Sequence, residues 1–205
     1  MITLDFINDC LNCVGEQQLI SSAGDLGSMV RTFAQAALNK VVQESRASFF
    51  EARIGLTGTV ADYLVPIGQL PEQALQIQRV LYNSGYSLYE LPEVPFDVLA
   101  YNLAYSVLGV NFYLTSQLAR PVTVSIDTTL IPVIPTDDAA TLPLPQPAIA
   151  AVKHQTAALL LSSYVDDAAG AAVQQKMADT LILNLRNVYG RGRGRSFNMA
   201  GRGNF

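Results

Sequence analysis

Two cysteines, one histidine and two carboxylate pairs are the side chains here whose types and spacing could do chemistry. Cys10-Leu11-Asn12-Cys13 has the CxxC spacing of a redox pair, which wants a helix N-terminus following a strand. The same spacing is half of a zinc site, but a second ligand pair is needed and His154 is the sole histidine. Neither context is present, so both cysteines are expected on the buried face of a helix. His154 sits in AAVKHQTAA without a nucleophile beside it and reads as a solvated or interface histidine. Asp137-Asp138 and Asp166-Asp167 could serve hydrolysis only if carboxylates faced each other across a cleft. The first pair lies in a proline-rich stretch and the second at a helix junction, so both read as turn and cap residues. No glycine-rich loop ending in Lys-Ser/Thr follows a strand, so no phosphate-binding motif is present. The expectation is a protein that is not an enzyme, with no catalytic residue, no metal site and no cofactor.

The sequence is less generic at its last residues, YGRGRGRSFNMAGRGNF. Arg191, Arg193, Arg195 and Arg202 are threaded through five glycines, with Phe197 and Phe205 nearby. One chemistry for such an arm is RNA or single-strand binding, in which arginine supplies charge and stacking and glycine supplies flexibility. The other is docking on a partner protein, where the planar guanidinium fork pairs with carboxylates and backbone carbonyls.

Charge weighs between them. The chain carries 13 Lys+Arg and 17 Asp+Glu; four of the 13 and none of the 17 lie in residues 190–205. The rest holds nine against 17, a net of −8, so the arm is a separate electrostatic object on an acidic body. A duplex-gripping surface needs clustered Lys and Arg, and the body lacks it. The arm is therefore expected to dock on a partner through Tyr189, Arg191, Arg193, Arg195, Phe197, Arg202 and Phe205. Nucleic-acid binding by the RGRGR stretch is the alternative. Fully extended, sixteen residues span roughly 50 Å, enough to cross onto a neighbouring protein.

Half of the 205 residues are hydrophobic and 15% are charged, enough for a sizeable core. The opening MITLDFINDC has no basic leader and carries Asp5 and Asp9, so no signal peptide is expected. No uncharged apolar run of about 18 residues exists, so no membrane span is expected. The two cysteines suggest a product folded in reducing conditions.

The elements that must position these residues read as α+β. Thr3 to Val14 is expected as a helix capped by Thr3, with Phe6, Ile7, Cys10, Leu11 and Val14 on one face. A longer helix is expected from Asp25, its N-cap, to Ser48, burying Leu26, Met29, Val30, Phe33, Ala37, Val41 and Val42. From Phe49 to Pro147 the chain is rich in β-formers and turns. Ala74–Tyr82 and Tyr86–Leu91 flank Asn83-Ser84-Gly85 as a hairpin. Val110–Thr115 and Val122–Asp127 read as strands, Phe96–Leu108 is ambiguous with a leaning to strand, and Ile131–Pro147 is an extended connector. Helices return from Ala148 to Val165 and from Asp167 to Val188, the last with Val173, Met177, Leu181, Leu185 and Val188 along one side. Residues 1–48 and 148–188 are expected to pack as one bundle, 49–147 as a β-rich insertion, and 189–205 as an extended arm.

Three stretches carry a resemblance. LDFINDCLNCVGEQQL looks like an opening helix that ends in a Gly-Glu pair, here Gly15-Glu16. AQAALNKVVQESRASFFEARIGLT is similar to a long helix running into a Gln-bearing end and a first strand, with Gln43 and Phe50 in place. YLVPIGQLPEQALQIQRVLYNSGYSLYELP is similar to a Leu-Pro strand pattern, here Leu70-Pro71-Glu72, Leu75 and Arg79-Val80. In this order and spacing the chain resembles the head-to-tail adaptors, also called tail tubular protein A or connector, of short-tailed bacteriophages. The family commonly has a tryptophan near position 49, and this chain has none.

The resemblance implies a virion structural protein with a helical bundle and a β-rich insertion. Such proteins form a ring, usually of twelve copies, that joins the portal to the tail nozzle and continues the DNA channel. The partners implied are the portal protein, the nozzle protein and sister subunits, with DNA passing through the lumen unbound during ejection. The implied location is the head–tail interface of the virion, after assembly in the host cytoplasm, with no membrane contact. The C-terminal segment would embrace the portal. Glu51, Glu72, Glu90, Glu93, Asp97 and Asp127 lie in the β region, and which residues line the channel stays open.

Overall fold

The computed structural model describes residues 1–58, 68–71, 73–83, 87–101, 103–109, 111–115 and 122–190. The protein is α+β and divides into two compact units. Met1–Ser48 joins the residues from Thr136 onward in a helical unit, and Phe49–Pro135 forms a β unit. The inserted unit thus closes at Pro135 and not at Pro147, because residues 138–142 pair with the start of the chain.

The helical unit has α1 (Thr3–Asn12), α2 (Asp25–Ser45), α3 (Gln146–Leu160) and α4 (Ala168–Tyr189). α3 packs on the other three helices. Its buried side is short-chained (Ala148, Ala151, Val152, Ala157), which lets the neighbouring backbones come close. Phe6, Ile7, Cys10 and Leu11 of α1 and Val30, Ala34, Ala37, Leu38, Val41 and Val42 of α2 complete the core. Burying a side chain of the Leu or Ile class contributes about 1.5–3 kcal/mol. A reciprocal amide pair crosses this core: Gln155 Nε2 donates to Gln175 Oε1 at 2.9 Å and Gln175 Nε2 to Gln155 Oε1 at 2.8 Å.

Several helix ends differ from the sequence reading. Thr3 is not the N-cap of α1; Ile2 is, and Thr3 is fully buried. The orphan donors of the first turn are taken by the returning chain. Thr3 N donates to Ala140 O at 2.9 Å, Leu4 N to Asp138 O at 3.1 Å, and Thr3 Oγ1 to Ala140 O at 3.0 Å. Gly24, not Asp25, caps α2, which stops at Ser45 because Arg46 adopts a left-handed conformation at φ 48°. A turn of π-helix, Leu161–Val165, follows α3, and Asp166 at φ 58° ends it.

The β unit holds two antiparallel sheets. β1 (Glu51–Gly58), β7 (Val122–Leu130), β3 (Ala74–Asn83) and β4 (Leu88–Leu91) lie in that order; β2 (Gly68–Gln69), β6 (Asn111–Leu114) and β5 (Tyr105–Leu108) form the other. β3 and β4 pair from Asn83↔Leu88 to Val80↔Leu91, the expected hairpin. Its tip, residues 84–86, lies outside the described residues. Phe96–Leu108 resolves into a 3₁₀ turn, Phe96–Tyr101, and strand β5. Val80, Tyr82, Leu91, Val124 and Ile126 of the first sheet pack with Tyr105, Phe112 and Leu114 of the second.

Candidate functional site

The cysteines lie where the sequence places them. Cys10 is buried and Cys13 half-buried on or beside α1, both as free thiols. Burial pushes both thiols upward, most strongly Cys10, away from a reactive thiolate. No group of three or more metal-ligating side chains exists among the described residues.

Each carboxylate pair has local work. Asp137 Oδ1 accepts from Ala139 N at 3.0 Å, closing an Asx turn. Asp138 ties the loop before α2 to the returning chain: its Oδ2 accepts from Ser22 N at 2.9 Å and Ser21 Oγ at 3.0 Å, and its Oδ1 from Arg31 Nη2 at 2.9 Å. The Ser22 bonds, with the Arg31 charge, hold its carboxyl below the usual carboxylate value. Asp167 is the N-cap of α4, accepting from Gly170 N at 2.9 Å.

In the β unit, Asp127 sits at register with Arg53 on β1 and Arg79 on β3. Arg53 Nε reaches Asp127 Oδ1 at 2.7 Å and Arg79 Nη2 reaches Oδ2 at 2.7 Å. Hydrogen bonds from Arg53, then Arg79, hold the buried carboxyl low, while the two guanidinium groups stay partly exposed. Of the acidic residues of the β region, Asp127 is thus a structural tie, and Glu93 lies beside Tyr105. That phenol is pushed up to about 12 by burial and then by the Glu93 charge. Glu72 lies outside the described residues.

The spacing along α4 leaves open which side faces the body. The stripe of Val173, Met177, Leu181, Leu185 and Val188 along one side is mostly outward: Val173 is 57% exposed, Met177 48% and Val188 69%. The buried side is Ala171, Ala178, Ile182 and Leu185. The outward stripe with His154, Lys176, Thr180 and Leu181 frames an open apolar groove of about 610 Å³. His154 Nδ1 pairs with Gln174 Oε1 at 2.7 Å on its margin, joining α3 to α4.

Of the expected docking residues, Tyr189 closes the last turn of α4 and is 39% exposed. Arg191, Arg193, Arg195, Phe197, Arg202 and Phe205 lie outside the described residues. The sequence reading missed the α4 groove; its signal was the second apolar stripe on that helix, through Ile182. No helix among the described residues is long and apolar enough to cross a membrane. No protein-family model matches this chain, and no curated protein does either.

Proposed function

We propose that this protein is a non-enzymatic virion subunit, a ring-forming adaptor that joins a phage portal to the tail nozzle and continues the DNA channel. The observation that carries the reading is the outward apolar stripe of α4, with its groove of about 610 Å³. Contiguous exposed apolar surface at a helix face marks an interaction site. Sister subunits are the partner that covers it: a head-to-tail contact closes a ring when the rotation between subunits permits. The acidic body supports passage of DNA without capture, since few cations are present to displace phosphate counterions. The arginine–glycine arm then docks on the portal, ordering when the partner is present.

Removal of residues 191–205 tests the role of the arm. The truncated chain is expected to keep its folded body and to be missing from portal-containing particles. Incorporation at the normal level contradicts the proposal. Salt-dependent binding to single-stranded nucleic acid that disappears with the arginines would instead favour a nucleic-acid-binding arm.

A further inference from the structure

We propose that the four-stranded sheet continues from one copy of the chain to the next, with β4 of one subunit pairing along β1 of its neighbour. The proposal rests on the reading that copies associate, and it adds a contact in the β unit to the one on α4.

The two edges of the sheet carry the argument. In the order β1-β7-β3-β4 the outer strands are β1 and β4. Among the described residues, no backbone bond reaches the outer side of residues 52–58 or of β4. Neither stretch contains a lysine or a proline, two of the residues that guard an exposed edge. Such an edge is built to take an added strand.

Strand direction decides how. Each neighbouring pair in this sheet is antiparallel, and three such steps leave β1 and β4 running in opposite directions. Copies set side by side with the same face outward therefore bring β4 against β1 as an antiparallel ladder. The contact is head-to-tail, the kind that closes a ring.

Both faces match in the register that sets Arg53 opposite Glu90. The same register pairs Ala52 with Leu91, Ile54 with Tyr89 and Gly55 with Leu88. Arg53 and Glu90 share the face of Asp127: Arg53 stands opposite Asp127, and Glu90 stands opposite Leu81, whose partner on β7 is Ser125. Arg53 gives Nε and Nη2 to Asp127, and its Nη1 has no bond among the described residues. Glu90 has no ion pair among them. Glu51, on the same face of β1, accepts a hydrogen bond from Gln78. On the opposite face Ile54 is half-buried. Tyr89, stacked on Tyr82 with ring centroids 6.3 Å apart, is 46% exposed there. Pairing covers Ile54 and Tyr89 with each other. Four rows are well short of a stable interface by themselves, so the ladder acts together with the α4 contact and fixes which edges meet.

Cysteine pairing on the full chain tests this. Gly55→Cys meets open space and Leu88→Cys replaces a side chain that is 63% exposed, so both leave the fold intact. Within one subunit the two positions are separated by three strand spacings, about 14 Å, beyond the reach of a disulfide. Mild oxidation of the double variant is expected to give a ladder of covalent multimers, absent from the wild type and from each single variant. Glu90→Lys should raise the concentration at half-association by about fivefold, through loss of a cross-strand charge pair. Association by sedimentation without the covalent multimers overturns the proposal, and the adaptor reading then keeps its α4 contact. So does unchanged association of the Glu90→Lys variant, or cross-linking by a single variant, in which like edges meet. A wild type that stays monomeric at every concentration overturns the adaptor reading with it.

Discussion

At the scale of single residues, Asp127 is the clearest case of a charge held by its neighbours. Arg53 and Arg79 flank it across three strands and keep its carboxyl below the ordinary value. Its contribution to stability is therefore complete above the unfolded value of about 3.9 and is lost as pH falls through the lower folded value. Asp127→Asn should destabilise the protein at neutral pH by about 2 kcal/mol, less than a fully buried pair because both guanidinium groups reach water. Its denaturation midpoint should also fall less between pH 5 and the acid limit than the wild type's; parallel pH profiles would refute the role. Gly27 lies against the backbone of Ser22, whose carbonyl oxygen a side chain at 27 would strike. Gly27→Ala should cost about 1–3 kcal/mol by forcing the Asp138-anchored loop aside, measured by chemical denaturation. The aspartate pairs were legible as turn and cap residues because Asx chemistry is local. The ion triad was not, because Arg53, Arg79 and Asp127 meet only through strand register.

At the scale of elements, the helices could be read from spacing, but their ends could not. Thr3 has the side chain of an N-cap, yet Asp138 and Ala140 supply the acceptors from far along the chain. α4 shows the larger difference. It carries two apolar stripes that share Leu185, and periodicity alone does not say which faces the body. Val173 and Met177 face outward, while Ala171, Ala178, Ile182 and Leu185 are buried. The two stripes should respond oppositely to mutation. Ile182→Ala should cost about 2–5 kcal/mol, as a deletion in a packed core does. Val173→Asp with Met177→Asp should leave stability within about 0.5 kcal/mol for each change but abolish self-association, read by sedimentation. Association that survives the two aspartates would remove α4 from the subunit contact.

At the scale of the whole molecule, the acidic body and the basic arm are visible in the distribution of charged residues along the chain. The α+β division was legible too, since proline and β-branched residues crowd between two helix-rich ends. What composition hid was the unit boundary at Pro135, beyond which Asp138, Ala140 and Leu142 form backbone bonds with Leu4, Thr3 and Met1. We propose the stacking of copies around passing DNA from three features together: an outward apolar helix face, an acidic body and an arm of opposite charge. The most direct measurement is a density map of the particle that carries this chain, with its symmetry and neighbours identified. The prediction is a closed ring between portal and nozzle, with α4 at the contact between sister subunits and residues 191–205 against the portal. A chain found as a monomer, or in no particle at all, would contradict it.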